Sequence, residues 1–195
     1  SGHHYTERKL PVPFTPDDAR KYEANFLAYS GSVAEGVRRI VADLRARQDG
    51  SSAEVDRLRL SIDEWGIVRE WNPKPDGPGV GIYEVYYPLG DAIAIGRALH
   101  ELIRSADLVA MGNWAQTVNI IGAIKTSRTH ASMGPVGHLL ALYRRHLQGE
   151  LLPVRPAGDA PLDAVAAWDR KSKTLSVGLI NYSPKEEIRV RLKLH

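Results

Sequence analysis

Residues 58–66 read Leu58-Arg59-Leu60-Ser61-Ile62-Asp63-Glu64-Trp65-Gly66. Leu58, Leu60 and Ile62 alternate with Arg59, Ser61 and Asp63, the period-two pattern of a β-strand, and a strand is expected over residues 58–65. Clean alternation of this kind suits a half-exposed antiparallel strand better than a buried parallel one. Directly beyond it, Trp71-Asn72-Pro73-Lys74-Pro75-Asp76-Gly77-Pro78-Gly79-Val80-Gly81 continues no regular element. The strand therefore opens into a long loop, where functional residues concentrate. Asp63 and Glu64 are strand neighbours and point to opposite faces, so they are not two carboxylates of one site. Glu64 shares the alternation of Leu58, Leu60 and Ile62, which would put it inside a β/α barrel at its mouth, where catalytic residues of such barrels sit. On chemistry alone, an Asp-Glu pair at a strand end is more often structural than catalytic.

Outward from this strand the pattern is mostly helical. Thr15-Pro16-Asp17-Asp18 is a helix start, and Val33, Val37, Ile40, Val41 and Leu44 predict a second helix over 32–48. Asp91 caps a helix to about residue 105, with Ile95, Leu99, Leu102 and Ile103 on one face. Residues 118–124 read as a strand and 136–148 as another amphipathic helix. Past Pro153 the character changes to three β-like runs, 164–168, 174–181 and 188–194. The expected fold class is thus α/β plus all-β, with an α/β part over 1–150 and a β part over 151–195. Residues 1–16, with Pro11, Pro13 and Pro16, read as short and turn-rich.

The composition narrows the function classes. With 26 Lys and Arg against 23 Asp and Glu, and the basic residues scattered over helix faces, no nucleic-acid partner is expected. No run approaches the roughly 18 apolar residues of a membrane helix, and no membrane role is expected. The absence of cysteine removes disulfides, thiolate metal sites and a cysteine nucleophile together and leaves localisation open. His138 and His146, eight apart on a predicted helix, lack a third ligand, so no metal is expected. Trp168 reads as core. The glycines of 77–81 lack the lysine of a phosphate loop.

Five spaced segments carry a family resemblance. Leu60-Ser61-Ile62-Asp63-Glu64-Trp65-Gly66 resembles the nucleophile strand of family 51 glycoside hydrolases, the α-L-arabinofuranosidases. Asp91 to Asp107 is similar to the helix that follows it. Asn113-Trp114-Ala115-Gln116-Thr117-Val118-Asn119-Ile120-Ile121 is similar to the family's Ala-Gln-Leu-Val-Asn-Val-Ile segment, and Leu142 to Glu150 to the barrel-closing helix. Thr174 to Ser183 resembles its C-terminal β-sandwich. The resemblance implies the last two βα units of a (β/α)8 TIM barrel followed by part of a β-sandwich. It implies that Glu64 is the nucleophile of a retaining glycosidase. It implies that Gln116 lies near the sugar site and, because Ser1-Gly2-His3-His4-Tyr5 resembles the end of the preceding barrel strand, that His3 orients Glu64 or the substrate and Tyr5 lines the sugar pocket. Many arabinofuranosidases carry a Trp four residues after the nucleophile; Val68 stands there, and Trp71 is the candidate to supply the aromatic surface. No cofactor is implied.

A retaining glycosidase needs a second carboxylate about 5 Å from the first. In the family this is a Glu after an Asn, and no Asn-Glu dipeptide occurs in the chain. The N-terminus also lacks an initiator Met and a signal-peptide pattern. The expectation is a chain that supplies the nucleophile and needs an N-terminal half as partner for the acid/base. Exposed parallel strand edges predict cover by that half or self-association into a homo-oligomer. Substrates implied are arabinofuranosyl oligosaccharides and polysaccharides of hemicellulose or pectin. The alternatives are an endo-acting β-glucanase or xylanase of the same family, and a non-catalytic carbohydrate-binding or structural domain.

Overall fold

A computed structural model describes residues 2–8, 16–49, 52, 57–69 and 85–194. Strand β1 (Gly2–Arg8) leads to helix α1 (Pro16–Gln48), strand β2 (Leu60–Arg69), helix α2 (Leu89–Arg104) and strand β3 (Val109–Trp114). β1–β2 and β2–β3 pair in parallel, with β2 central, so α1 and α2 are the crossovers of a βαβαβ unit. A hairpin of β4 (Ile124–Thr126) and β5 (Ala131–Met133) precedes helix α3 (Pro135–His146). The chain ends in an antiparallel sheet, ordered β6 (Glu150–Leu152), β7 (Leu162–Asp169) and β8 (Thr174–Asn181).

One apolar core joins the first three strands to their helices. Val33, Val37 and Val41 of α1 meet Ile62, Trp65 and Ile67 of β2 and Ala94, Ile95, Ala98 and Leu102 of α2, all buried. Spacings of three and four put each helical set on one stripe facing the sheet. In the last sheet, Ala164, Val165, Ala166 and Ala167 are buried in succession, and α2 packs directly on β7 and β8. Gly96 makes this approach possible: a Cβ there would lie 2.7 Å from the Ile180 side chain.

A polar cluster pins the same contact. His100, fully buried on α2, bonds Asp163 on β7 through Nδ1 at 3.0 Å and the Tyr143 hydroxyl on α3 through Nε2 at 2.5 Å. Arg104 donates to Asp163 and, at 3.0 Å, to the Ala164 carbonyl. Burial alone would raise the Asp163 carboxyl, but hydrogen bonds from His100 and Arg104, with their charge, hold it below its ordinary value. Burial, reinforced by the charge of Asp163 and opposed by that of Arg104, pushes the Tyr143 phenol up to about 12.

Several expectations need correction. The two helices expected between 15 and 48 are one helix; Gly31 sits inside it, and a helical backbone tolerates an isolated glycine at a cost of about 1 kcal/mol. Residues 118–124 are not a strand but a turn region closed by a single Val118–Ile124 bridge, and the strand is Val109–Trp114 instead. Residues 188–194 form no strand; Val190, Leu192 and Leu194 project into solvent without a sheet neighbour. Of the stretch 1–16, read as turn-rich, residues 2–8 form β1, which finds its partner in β2, and residues 9–15 lie outside the described residues. Asp91 lies buried in the first turn of α2, while Pro88 holds the N-cap position. The antiparallel sheet begins with β6 at Glu150.

Candidate active site

Strand β2 carries one residue too many. Between Ile62 and Trp65 it advances three residues while β1 advances two, Gly2 to His4, and β3 advances two, Gly112 to Trp114. This is a bulge, and it resets the alternation. Ile62 and Trp65, three apart, are both buried in the core, and Ile67 follows two later. Glu64 does not share their environment: 42% of its side chain is exposed. The simple alternation that aligned Glu64 with Leu60 and Ile62 is therefore wrong, because the extra residue intervenes. The strand also runs on to Arg69, pairing Gly66, Ile67 and Val68 with Tyr5, Thr6 and Glu7. On the β3 side pairing stops at Trp65–Trp114, so Glu64 stands one residue before the three-stranded part ends.

His3 and Tyr5, two apart on β1, project to one side of the strand. His3 is paired with Glu64 in the register. The Tyr5 hydroxyl donates to Glu64 Oε2 at 2.9 Å, and His3 Nδ1 stands 3.5 Å from the same oxygen. Burial first, then the hydrogen bond to Glu64 and its charge, push the Tyr5 phenol above its ordinary value, so it remains a donor where a free phenol ionises. The His3 side chain is 60% exposed, and the cluster is open on that side. Neighbouring groups fix the bulge. Ser61 Oγ donates to the Asp63 carboxylate. Gly66 has φ +145°, and a Cβ there would lie 2.7 Å from the Trp114 ring. Trp114 meets Trp65 and Tyr87 edge-on, each at 5.5 Å between ring centres. The Tyr87 hydroxyl donates to the Ile67 carbonyl at 3.0 Å and stands 3.2 Å from that of Ile121.

Of the other expected site residues, Gln116 is exposed after β3, and its amide donates to the Val118 carbonyl at 2.9 Å. Trp71 lies outside the described residues. His138 and His146 line one cleft of about 790 Å³ between α2, α3 and β8, with Leu142, Arg145 and Leu179. Among the described residues no three His, Cys, Asp or Glu side chains are placed to hold a metal ion. Trp168 is half-buried on β7. Sequence reasoning missed the Trp65–Trp114–Tyr87 support. Its signal was the Tyr86-Tyr87-Pro88 run before a helix start, aromatic residues with no amphipathic period to place them.

A parallel βαβαβ unit, a bulged central strand with a carboxylate beside a His/Tyr pair, and an antiparallel sheet docked on α2 define a class. Residues 63–195 match the family model of the alpha-L-arabinofuranosidase C-terminal domain, and the chain belongs to that family. Among curated relatives, the probable alpha-L-arabinofuranosidase C of Aspergillus niger is 25% identical over 163 residues, covering 75% of this chain and 32% of the relative. The intracellular exo-alpha-(1->5)-L-arabinofuranosidase of Acetivibrio thermocellus is 23% identical over 175 residues, covering 86% of this chain and 34% of its own. The chain thus spans about a third of the length of the curated relatives it matches. A family 51 alpha-L-arabinofuranosidase from Bifidobacterium longum superposes with TM-score 0.61 at 19% identity, over 92% of this chain and 39% of that one. The alpha-L-arabinofuranosidase from Thermotoga maritima, solved as an arabinose complex, gives 0.60 at 22%, over 92% and 37%. At such identities the likeness speaks for the fold.

Proposed function

We propose that this chain supplies the nucleophile, Glu64, of a retaining glycosidase that hydrolyses terminal α-L-arabinofuranosyl residues. The observation that carries the proposal is the 2.9 Å hydrogen bond from Tyr5 to Glu64 Oε2, with His3 on the same oxygen. One oxygen is held, and Oε1 is the atom for attack. Oε1 bonds the anomeric carbon while the glycosidic C–O bond breaks, and the leaving oxygen takes a proton from a second carboxylic acid. Water, deprotonated by that same group, then attacks the anomeric carbon and releases the Glu64 carboxylate, so two inversions give retention. The second carboxylate comes from an N-terminal partner region within the two-thirds of the relatives' length that this chain does not span.

On this reading residues 1–150 are the C-terminal part of a TIM barrel and 151–195 part of a β-sandwich. The parallel order β1-β2-β3 with helical crossovers and the antiparallel order β6-β7-β8 support it. His3 and Tyr5 orient the carboxylate, and Gln116 and Trp71 line the sugar site. The test is Glu64→Gln in the complete protein, assayed on an aryl α-L-arabinofuranoside. Turnover lost with sugar binding kept is the expected result; unchanged turnover would remove Glu64 from the mechanism and leave a non-catalytic domain as the better reading. A panel of aryl β-glucosides and β-xylosides separates the endo-acting alternative.

A further inference from the structure

Tyr86 breaks the rule that its neighbours obey. Val85 and Tyr87 are buried, yet Tyr86 between them is 63% exposed. A large aromatic ring left in water is informative when its position is fixed by other groups. Here it is fixed at three points. The Val85 amide donates to the Ile120 carbonyl at 2.8 Å, the Tyr87 hydroxyl is tied to the Ile67 carbonyl, and Lys125 Nζ lies 5.4 Å from the Tyr86 ring centre. Lys125 is itself held by the same Ile120 carbonyl at 2.8 Å. With an ammonium over one face of the ring, its solvent-facing area is the other face and the rim.

The turn that does this is strained. Asn119 and Ile120 both adopt left-handed backbone, φ 56° and 53°. Asn tolerates this conformation, but a β-branched residue is an outlier there, at a cost of about 1–3 kcal/mol. In return the Ile120 carbonyl receives both Val85 and Lys125. The Ile120 side chain on this turn is 43% exposed. The shelf stands where β2 and β3 end, and Ile67, to which Tyr87 is tied, is three residues, about 10 Å, along the strand from Glu64.

We propose that Tyr86, backed by Lys125, is a platform for the part of a neutral oligosaccharide that lies beyond the cleaved sugar. This rests on the glycosidase reading of Glu64. An aromatic face takes the apolar C–H face of a sugar ring, and a preformed ring loses little entropy on binding because its backbone is already pinned. A substrate too short to reach the shelf gains nothing from it.

The experiment compares Tyr86→Ala and Tyr86→Phe with the parent in the complete protein. The substrates are an aryl α-L-arabinofuranoside and a linear arabino-oligosaccharide of four or more sugars, a length set by the reach from Glu64. Tyr86→Ala raises KM for the oligosaccharide about threefold to tenfold, the scale of one aromatic contact, and leaves the aryl glycoside unchanged. Tyr86→Phe behaves as the parent. Equal KM for the oligosaccharide in parent and Tyr86→Ala overturns the platform. If the parent cleaves neither substrate, the glycosidase reading falls, and calorimetric titration of the same oligosaccharide still decides the shelf. Binding weakened by Tyr86→Ala upholds it as a glycan site, and no binding, or binding unaffected by the substitution, overturns it.

Discussion

On the proposed glycosidase reading, the Tyr5 hydroxyl and the Glu64 carboxylate are the pair on which the chemistry turns. A hydrogen bond to a charged acceptor is worth about 1.5–3 kcal/mol, so Tyr5→Phe is expected to reduce kcat about 10- to 100-fold in the complete protein. Single-turnover kinetics on an aryl arabinofuranoside checks this, and a rate within a factor of two of the parent would remove Tyr5 from the mechanism. Because burial and Glu64 raise the Tyr5 phenol, no loss of rate from its ionisation is expected at pH 10, the ordinary value. At Gly66 the claim concerns stability. Any Cβ at φ +145° is strained and also meets the Trp114 ring, so Gly66→Ala should lower stability by about 1–3 kcal/mol, read as a shift of the urea midpoint. A midpoint equal to the parent's would mean that the bulge relaxes without cost.

The elements argue through the cluster that joins α2, α3 and β7. Asp163 has a depressed carboxyl, so its contribution to stability is present above the ordinary value of 3.8 and is lost as pH falls through its lower folded value. Tyr143 is raised from 10.0 to about 12, so the fold prefers its neutral form and loses stability as pH rises from 10. A stability plateau between about pH 4 and 10 follows, measurable by urea unfolding across pH. Asp163→Asn should flatten the acid limb and cost about 1–3 kcal/mol at pH 7, because the amide keeps one acceptor oxygen but removes the negative charge that faces His100 and Arg104. Tyr143→Phe should flatten the alkaline limb. Limbs unchanged in both variants would mean that other groups govern them. These contacts also mark how far sequence alone could read the fold. α2 was legible because Ile95, Leu99 and Leu102 repeat at helical spacing, and β7 and β8 because apolar runs flank a turn at Asp169. β3 was not: Gly112 and Asn113 are poor strand formers, and Val109–Trp114 is a strand only because β2 pairs with it and Gly112 admits Leu102 within 3.0 Å of where a Cβ would stand. The contacts of Glu64 with His3 and Tyr5 were anticipated through family resemblance, whereas the bulge that turns Glu64 from the core was not, since its mark, apolar residues three apart at Ile62 and Trp65, equally suits a strand that ends at Trp65.

Across the whole molecule, the apolar surface left in water bears on what the chain does alone. Among the described residues β1 and β3 each have one unpaired edge in the parallel sheet, and parallel sheets are ordinarily covered on both faces. Met111 on β3 is 50% exposed, and Leu89, Leu142 and Leu179 project beside the cleft between α2, α3 and β8. Strand edges can recruit further strands, and apolar side chains gain about 25 cal/mol for each Å² removed from water, so both favour association. The 195-residue chain by itself is therefore expected to sediment as concentration-dependent oligomers and to bind a hydrophobic dye. Joined to the remaining length of the relatives it should sediment as a defined species and lose the dye. Met111→Lys tests the sheet face separately from the cleft, since it adds a charge at an exposed position and removes no buried group. If association is driven from β3, this substitution shifts the 195-residue chain toward monomer. A parent chain that is already a dye-silent monomer would instead show that three parallel strands under two helices suffice, and that the exposed edges need no cover.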